Sequence, residues 1–174
     1  MRSALAAVLG ALVVAVLAPS PSTADPGRSR APTTPPAPAA GWVAPLPGVP
    51  TVTRAFDPPA HAYGPGHRGA DLAGGPGAPV LAAGDGVVVF AGMVAGRPVV
   101  SIDHADGLRT TYEPVDPGVG AGQRVARGAP IGALVTGHAG CPVEACLHWG
   151  LRRGEDYLDP LPLLVVRVRL LPLR

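Results

Sequence analysis

The chain has 174 residues, enough for one domain and little more, and its formal net charge at neutral pH is +2. Hydrophobic residues make up 47% of it but aromatic residues only 4%, so Val, Leu, Ile and Ala must form most of the core. The 24 glycines and 23 prolines favour many short strands and turns over long helices. No run of basic residues is interleaved with aromatic ones, which argues against nucleic acid as a partner.

The first 24 residues have the pattern of a secretory signal peptide. Arg2 precedes an apolar run over residues 4–17, which is too short to favour a membrane span, and small residues that suit cleavage follow. An uncleaved anchor is the alternative. Residues 25–41 are rich in Pro and Ala, bury little apolar surface and are expected to form a semi-extended linker. The protein is therefore expected to be secreted.

Short strand signals bounded by Gly or Pro follow Trp42, and no segment has a convincing helical period. Asp106-Gly107 between two β-rich segments predicts a hairpin. We expect an all-β domain over residues 42–164, a compact antiparallel sheet or barrel-sandwich of short hairpins. A tail over residues 165–174 follows, and the alternation of apolar and basic residues over 165–170 predicts an edge strand. The predicted strands are residues 87–90, 98–103, 108–113, 123–125, 130–135 and 145–151.

Three residues form a candidate metal site. His67 and Asp71 are four residues apart among glycines and prolines that argue against a helix. In a straight strand their Cα atoms would be about 13 Å apart, so the chain must bend between them, and Gly69 permits a bend. Strand alternation puts His148 on the same face as Cys146. Each residue alone fits an ordinary surface or core position, but together they offer a donor set suited to one zinc ion with a fourth position left for water.

The sequence resembles the lysostaphin-type (LytM-like) zinc metallopeptidases. Residues 66–72 are similar to the His-x-x-x-Asp motif of that family, and residues 147–149 are similar to the end of its His-x-His motif. The connecting segments also match, so the resemblance covers residues 42–164. It implies an antiparallel β core with a groove over one zinc ion held by His67, Asp71 and His148. It also implies peptides of bacterial peptidoglycan as the substrate and a location at the cell wall.

The sequence departs from the pattern of the working enzymes at two positions. These enzymes carry two further histidines that are not primary ligands, and here Cys146 and Pro114 stand in their places. Loss of general acid–base help costs about 10²–10⁴-fold in rate. Tyr112, Glu113 and His104 are candidates to replace this help, although His104 is expected to be structural. His138 is a further candidate, but its turn flanked by glycine is expected to leave it in solvent.

The two cysteines, Cys141 and Cys146, are predicted to form a disulfide, because the chain carries an export signal and Pro142 can turn the segment between them. The bond would fix the loop just before His148. The alternative is a Cys146 thiolate as a fourth ligand, which would make a closed structural zinc site.

Three functions remain open from the sequence. The first is a zinc endopeptidase acting on peptidoglycan peptides, in which other residues carry the proton. The second is a zinc-bearing module that binds cell-wall peptide or regulates another cell-wall hydrolase, which Pro114 and Cys146 favour. The third is a structural β domain that zinc stabilises. No nucleotide, haem or phosphate chemistry is indicated, and a monomer is expected.

Overall fold

The computed structural model describes residues 41–61 and 64–164. The predicted signal peptide, nearly all of the linker and the predicted edge strand in the tail lie outside the described residues. No helix in the described part is both long and apolar enough to cross a membrane. The strands are β1 (Val52–Arg54), β2 (Gly69–Gly74), β3 (Pro79–Leu81), β4 (Gly86–Val94), β5 (Arg97–Asp103), β6 (Leu108–Glu113), β7 (Val115–Pro117), β8 (Arg124–Val125), β9 (Pro130–Leu134), β10 (Ala145–Arg153) and β11 (Asp156–Leu158), followed by a 3-10 helix at Leu161–Leu164.

The strands form two antiparallel sheets, which confirms the predicted all-β class. The larger sheet has eight strands in the order β1-β2-β10-β6-β5-β4-β8, with β11 paired to β10. The smaller sheet has three strands in the order β3-β9-β7. Short turns join β4 to β5, β5 to β6 and β10 to β11, whereas β10 inserts between β2 and β6 and so joins distant parts of the chain.

The core is one cluster of buried apolar side chains from both sheets. Small aliphatic residues fill most of it, as the composition predicts, and Trp149 and Tyr112 are its largest members. These two side chains face each other across β10 and β6. On the same two strands, the residues one position along point to the opposite face, because side chains alternate along a strand. That opposite face carries the candidate site.

The predicted strands are confirmed, with shifted ends. β6 has the predicted bounds, and β10 continues two residues beyond the predicted end, to Arg153. β2 was not predicted as a strand, because four of the residues from 66 to 75 are glycines, which have low strand propensity. Tertiary pairing overrides that propensity, since β2 lies between β1 and β10 and pairs with both.

Candidate metal centre

The first two donor residues enter the centre from different backbone elements. His67 lies just before β2 and forms an isolated bridge with Asp57, whose carbonyl accepts a hydrogen bond from the His67 N–H at 2.7 Å. Asp71 lies within β2 itself. The chain therefore turns between these two residues, as their spacing requires, and both side chains reach the same point.

Gly69 has a second role beyond the one predicted from the sequence. A Cβ atom at this position would lie 2.8 Å from two atoms of the His148 ring and 2.5 Å from the Trp149 carbonyl oxygen. Such distances are too short for any side chain. The glycine therefore leaves the space that the His148 imidazole occupies on the neighbouring strand.

The three predicted donors converge. His67 Nε2 lies 2.9 Å from Asp71 Oδ1 and 3.0 Å from His148 Nδ1, and the last two atoms are 2.9 Å apart. His148 and Asp71 are direct partners in the β10–β2 ladder, so the register of this pair sets their distance. The ligands of a tetrahedral zinc ion are separated by about 3.3 Å, so small outward movements of the three atoms would admit the ion.

The tautomer of His67 shows why these atoms need a cation. Its Nδ1 lies 2.8 Å from the Ala55 carbonyl oxygen, which can only accept, so Nδ1 carries the proton. Nε2 of the neutral ring then carries a lone pair, which is directed at the Asp71 carboxylate and at His148. Lone pairs this close repel unless a positive ion or a proton lies between them. The neutral imidazole, oriented by a backbone carbonyl, fits a zinc ligand.

Asp71 has the protonation state that a metal ligand needs. Burial tends to raise the pKa of Asp71, but hydrogen bonds from His148 and His138 outweigh it, together with the charge of the neighbouring histidines. The pKa of the carboxyl group is lowered from 3.8 to about 2. At neutral pH this side chain is therefore an anion at the meeting point of three imidazoles.

The third imidazole belongs to His138, which was expected to lie in solvent. That expectation is wrong. His138 Nε2 lies 3.0 Å from Asp71 Oδ2, its side chain is 13% exposed, and its ring stacks on His148 with centroids 5.8 Å apart. The loop between β9 and β10 has no periodic pattern, so nothing local in the sequence indicates where its side chains point.

Cys141 and Cys146 form the predicted disulfide. The bond excludes the alternative of a Cys146 thiolate ligand, because no free cysteine occurs in the described residues. Cys146 lies in β10 two residues before His148, while the Cys141 N–H donates to the His138 carbonyl at 3.3 Å. The disulfide therefore ties the loop that carries His138 to the strand that carries His148.

Tyr112 and His104, two of the candidate replacements, lie in the core. The Tyr112 hydroxyl accepts the Ala83 N–H at 2.9 Å and shares a hydrogen bond with Thr110. Burial raises the pKa of Tyr112 to about 12, so the group does not ionise near neutral pH. His104 donates through Nδ1 to the Asp85 carbonyl at 2.9 Å and bonds Thr110 through Nε2 at 2.8 Å, which confirms the structural role expected for it.

Glu113, the third candidate, is on the same sheet face as the centre. It is the direct partner of His148 in the β10–β6 ladder. Its carboxylate forms an ion pair with Arg97, whose Nε lies 2.6 Å from Oε1. Glu113 therefore lies beside the centre, but its carboxylate is already paired with a guanidinium group.

Comparison with known proteins identifies the family. The model of peptidase family M23 matches residues 65–160, a range that includes all three converging donors. The chain belongs to peptidase family M23. This confirms the resemblance to lysostaphin-type enzymes that the motifs indicated. One structural relative is described as a zinc-containing peptidase, which agrees with a donor set suited to zinc.

Two curated mycobacterial proteins match most of this chain. The chain is 54% identical to the uncharacterized protein Rv2891 of Mycobacterium tuberculosis over 138 residues, which is 76% of this chain and 55% of that protein. The uncharacterized protein Mb2915 of Mycobacterium bovis gives the same values. The chain thus spans about half the length of the curated relatives that it matches.

Three solved structures show the same fold. A zinc-containing peptidase from Vibrio cholerae is 27% identical with a TM-score of 0.57, covering 72% of this chain and 39% of that one. The antimicrobial peptidase lysostaphin from Staphylococcus simulans is 26% identical with a TM-score of 0.55, covering 66% and 50%. A chain of the SpoIIIAH–SpoIIQ complex is 25% identical with a TM-score of 0.60, covering 70% and 99%.

Proposed function

We propose that the chain is an exported zinc metallopeptidase that hydrolyses peptide bonds in bacterial peptidoglycan. The observation that carries the proposal is the convergence of His67, Asp71 and His148 in a member of family M23. Residues 42–164 would be the catalytic domain, after a signal peptide (1–24) and a linker (25–41), and residues 165–174 a tail. One zinc ion is the cofactor, and the protein acts as a monomer at the cell wall. The disulfide fits an oxidising compartment outside the cytoplasm.

Peptidoglycan peptides are the proposed substrate because of the lysostaphin-type motifs. Lysostaphin itself is described as an antimicrobial peptidase, and a second structural relative is a zinc-containing peptidase. In the proposed reaction, water adds to the carbonyl carbon, the C–N bond breaks, and the amine leaves with a proton. The new products are a free carboxylate and a free amine.

The chain's own residues have separable roles in this reaction. Zinc, when bound by His67, Asp71 and His148, would polarise a carbonyl group and lower the pKa of a water molecule. The Ala55 carbonyl fixes the His67 tautomer, so that Nε2 is the donor atom. His138 holds Asp71 Oδ2 and so leaves Oδ1 directed at the two ligand imidazoles.

His138 is also the group proposed to replace the two missing histidines. It contacts Asp71 and stacks on His148, so its imidazole lies beside two of the residues that would hold zinc. With Nε2–H donated to Asp71 Oδ2, a protonated His138 ring would still have its Nδ1–H, which could stabilise the negative oxygen that forms at the carbonyl or pass a proton to the leaving amine. Tyr112 and His104 are engaged in the core, and Glu113 is paired with Arg97.

A binding or regulatory module is the second candidate function. Pro114 and the disulfide-bonded Cys146 favour it, since both histidines of the working enzymes are replaced. The likeness to a chain of the SpoIIIAH–SpoIIQ complex adds support, because that relative assembles with another protein. In this function the centre would hold a cell-wall peptide, or the domain would regulate another hydrolase.

Turnover on intact peptidoglycan distinguishes the two functions. The zinc-loaded chain is incubated with peptidoglycan and its cross-linked peptides, and new amines are counted beside a His148→Ala control. We expect amine release by the parent and none by the variant. Zinc affinity in the variant should fall by at least about 100-fold. Loss of a group that only orients a ligand lowers metal affinity by about 10–100-fold, and loss of the ligand itself should cost more. No release from a parent with one zinc per chain would contradict the enzyme and favour the binding module.

A further inference from the structure

A trough lined by arginines continues from the metal centre along the same sheet face. Its volume is about 410 Å³, and His148 lies in its wall. Its charged and aromatic lining residues are Arg68, Arg97, Arg109, Glu113, Arg152 and Tyr157. We name this cavity the arginine trough. Because the trough adjoins the proposed reaction centre, a peptide bound at that centre would extend into the trough.

The floor of the trough is made of small residues. Gly150 is the β10 partner of Thr111, and Thr111 is in turn the β6 partner of Ser101. The hydroxyl groups of Thr111 and Ser101 are 3.2 Å apart and share a hydrogen bond. A glycine and two short hydroxyl side chains let an extended peptide backbone approach the sheet and offer it polar partners.

Beyond this floor, two arginines face each other. Arg152 of β10 is the direct partner of Arg109 of β6 in the antiparallel ladder. Opposite residues in such a ladder have Cβ atoms about 5 Å apart, and like charges there destabilise the sheet. The chain therefore carries an arrangement that the fold alone does not favour.

The two arginines differ in how their charge is balanced. Arg109 donates to both carboxylate oxygens of Asp103, through Nη2 at 2.8 Å and through Nε. The ion pair of Arg152 is with Glu155, at 3.9 Å, and the Glu155 side chain is 97% exposed. A pair with so exposed a partner contributes little. The charge of Asp103 also acts on Arg152, so one carboxylate is shared by two guanidinium groups, and a second anion between Arg109 and Arg152 would relieve the remaining repulsion.

We propose that the arginine trough is a subsite for a carboxylate of the substrate peptide. A guanidinium group presents a planar fork that matches a carboxylate with two parallel hydrogen bonds. Arg152 is four residues from His148 on one face of one strand, a span of about 13 Å. The substrate class is therefore an acidic peptide whose carboxylate lies about four residues from the bond that reacts. This inference rests on the proposed function for the position of that bond.

Two matched peptide pairs test the subsite by equilibrium binding. The first pair is acetyl-tetraalanine with a free C-terminal carboxylate and the same peptide as its carboxamide. The second is acetyl-Glu-Ala-Ala-Ala-amide and its Gln counterpart, which covers the opposite peptide direction. Titrations of the zinc-loaded chain are followed by NMR. We expect the acidic member of one pair to bind about tenfold more tightly than its neutral counterpart, as charged hydrogen bonds predict.

Variants on the two faces of β10 test whether Arg152 causes the preference for the acidic peptide. Arg152→Gln should reduce the acid preference to nearly onefold, and Arg152→Lys, which keeps the charge but loses the fork, should leave an intermediate preference. Arg153→Gln is the matched control, because Arg153 is the next residue, is exposed and belongs to the other face. Either variant of Arg152 is informative, so failure of one to fold does not prevent the test.

The same titrations separate failure of the subsite from failure of the proposed function. In His148→Ala and in the metal-free parent alike, the acid preference should persist, because the carboxylate contact is remote from the zinc ligands. A chain without turnover can thus still show the subsite. Equal binding of acidic and neutral peptides in both pairs would overturn the proposal, as would equal losses of preference in Arg152→Gln and Arg153→Gln.

Discussion

The structure contains two polar clusters built around histidine, one in the core and one at the candidate centre, and they differ in what satisfies the ring nitrogens. In the core, both nitrogens of His104 bond protein groups, the Asp85 carbonyl and the Thr110 hydroxyl. At the candidate centre, nitrogens of His67, His138 and His148 all converge on the two oxygens of Asp71. The first cluster is complete without a ligand, whereas in the second the Nε2 lone pair of His67 faces the carboxylate of Asp71. The partners of the ring nitrogens, and not the number of histidines, indicate where a metal belongs.

The pKa shifts follow the same division. Burial lowers the pKa of His104 from 6.5, and this outweighs the opposite effect of the Asp85 carbonyl, so His104 is held neutral in the core. At the centre, the pKa of Asp71 is lowered to about 2, so the carboxylate keeps its charge. The core cluster therefore holds a neutral histidine, whereas the candidate centre holds a carboxylate anion.

The largest expected effect comes from removing His138 from the centre. His138→Ala should lower zinc affinity by about 10–100-fold, the usual cost of losing a group that orients a ligand. His138→Gln can still donate an N–H to Asp71 and should recover part of the loss. Competition with a chromogenic chelator measures both affinities. Unchanged zinc affinity in His138→Ala would show that its contact with Asp71 does not support the ligand.

A pair of glycines tests both clusters with the same change. A Cβ at Gly69 would meet the His148 ring at 2.8 Å, and one at Gly86 would meet His104 Nδ1 at 3.1 Å and the Asp103 carbonyl oxygen more closely still. Each Gly→Ala variant should lose about 1–3 kcal/mol of unfolding free energy through overpacking. Only Gly69→Ala should also lose zinc affinity, by about tenfold, since a displaced ring no longer orients its donor atom.

Denaturant titrations and chelator competition on the two glycine variants give these values. Gly75→Ala is the control, because a Cβ there would have no atom within 4 Å. An equal loss of zinc affinity in Gly69→Ala and Gly86→Ala would contradict the separation of the two clusters.

The smallest expected effect is on the pH dependence of stability. Since burial lowers the pKa of His104, the unfolded chain binds its proton more readily than the folded protein does. This contribution to stability is complete above pH 6.5 and is lost as the pH falls below 6.5 towards the lowered folded value. Urea unfolding between pH 8 and pH 5, with chelator present, should therefore give a shallower slope for His104→Gln. The other histidines are common to both proteins, so identical slopes would contradict a neutral buried His104.

Much of the candidate site was predictable because its motifs are local. The His67–Asp71 spacing and the alternation around His148 indicated a donor set, and two cysteines in a chain with an export signal indicated their pairing. His138 was not predictable, because it lies in a loop without periodicity and its contact with Asp71 joins residues 67 positions apart in the chain. Neither did the sequence separate Tyr112 from Glu113 as candidates, although alternation puts them on opposite faces of β6.

The sequence by itself determined the all-β class, six of the eleven strands in the described residues and the residue types at the centre. These follow from local periodicity, from turn residues and from donor chemistry. Tertiary structure decided which groups meet. The β10 register sets His148 against Asp71 on one side, and Glu113 and Arg109 against their β10 partners on the other. A slip of one residue would turn every side chain of β10 to the opposite face, and burial of Leu147, Trp149 and Leu151 fixes the register.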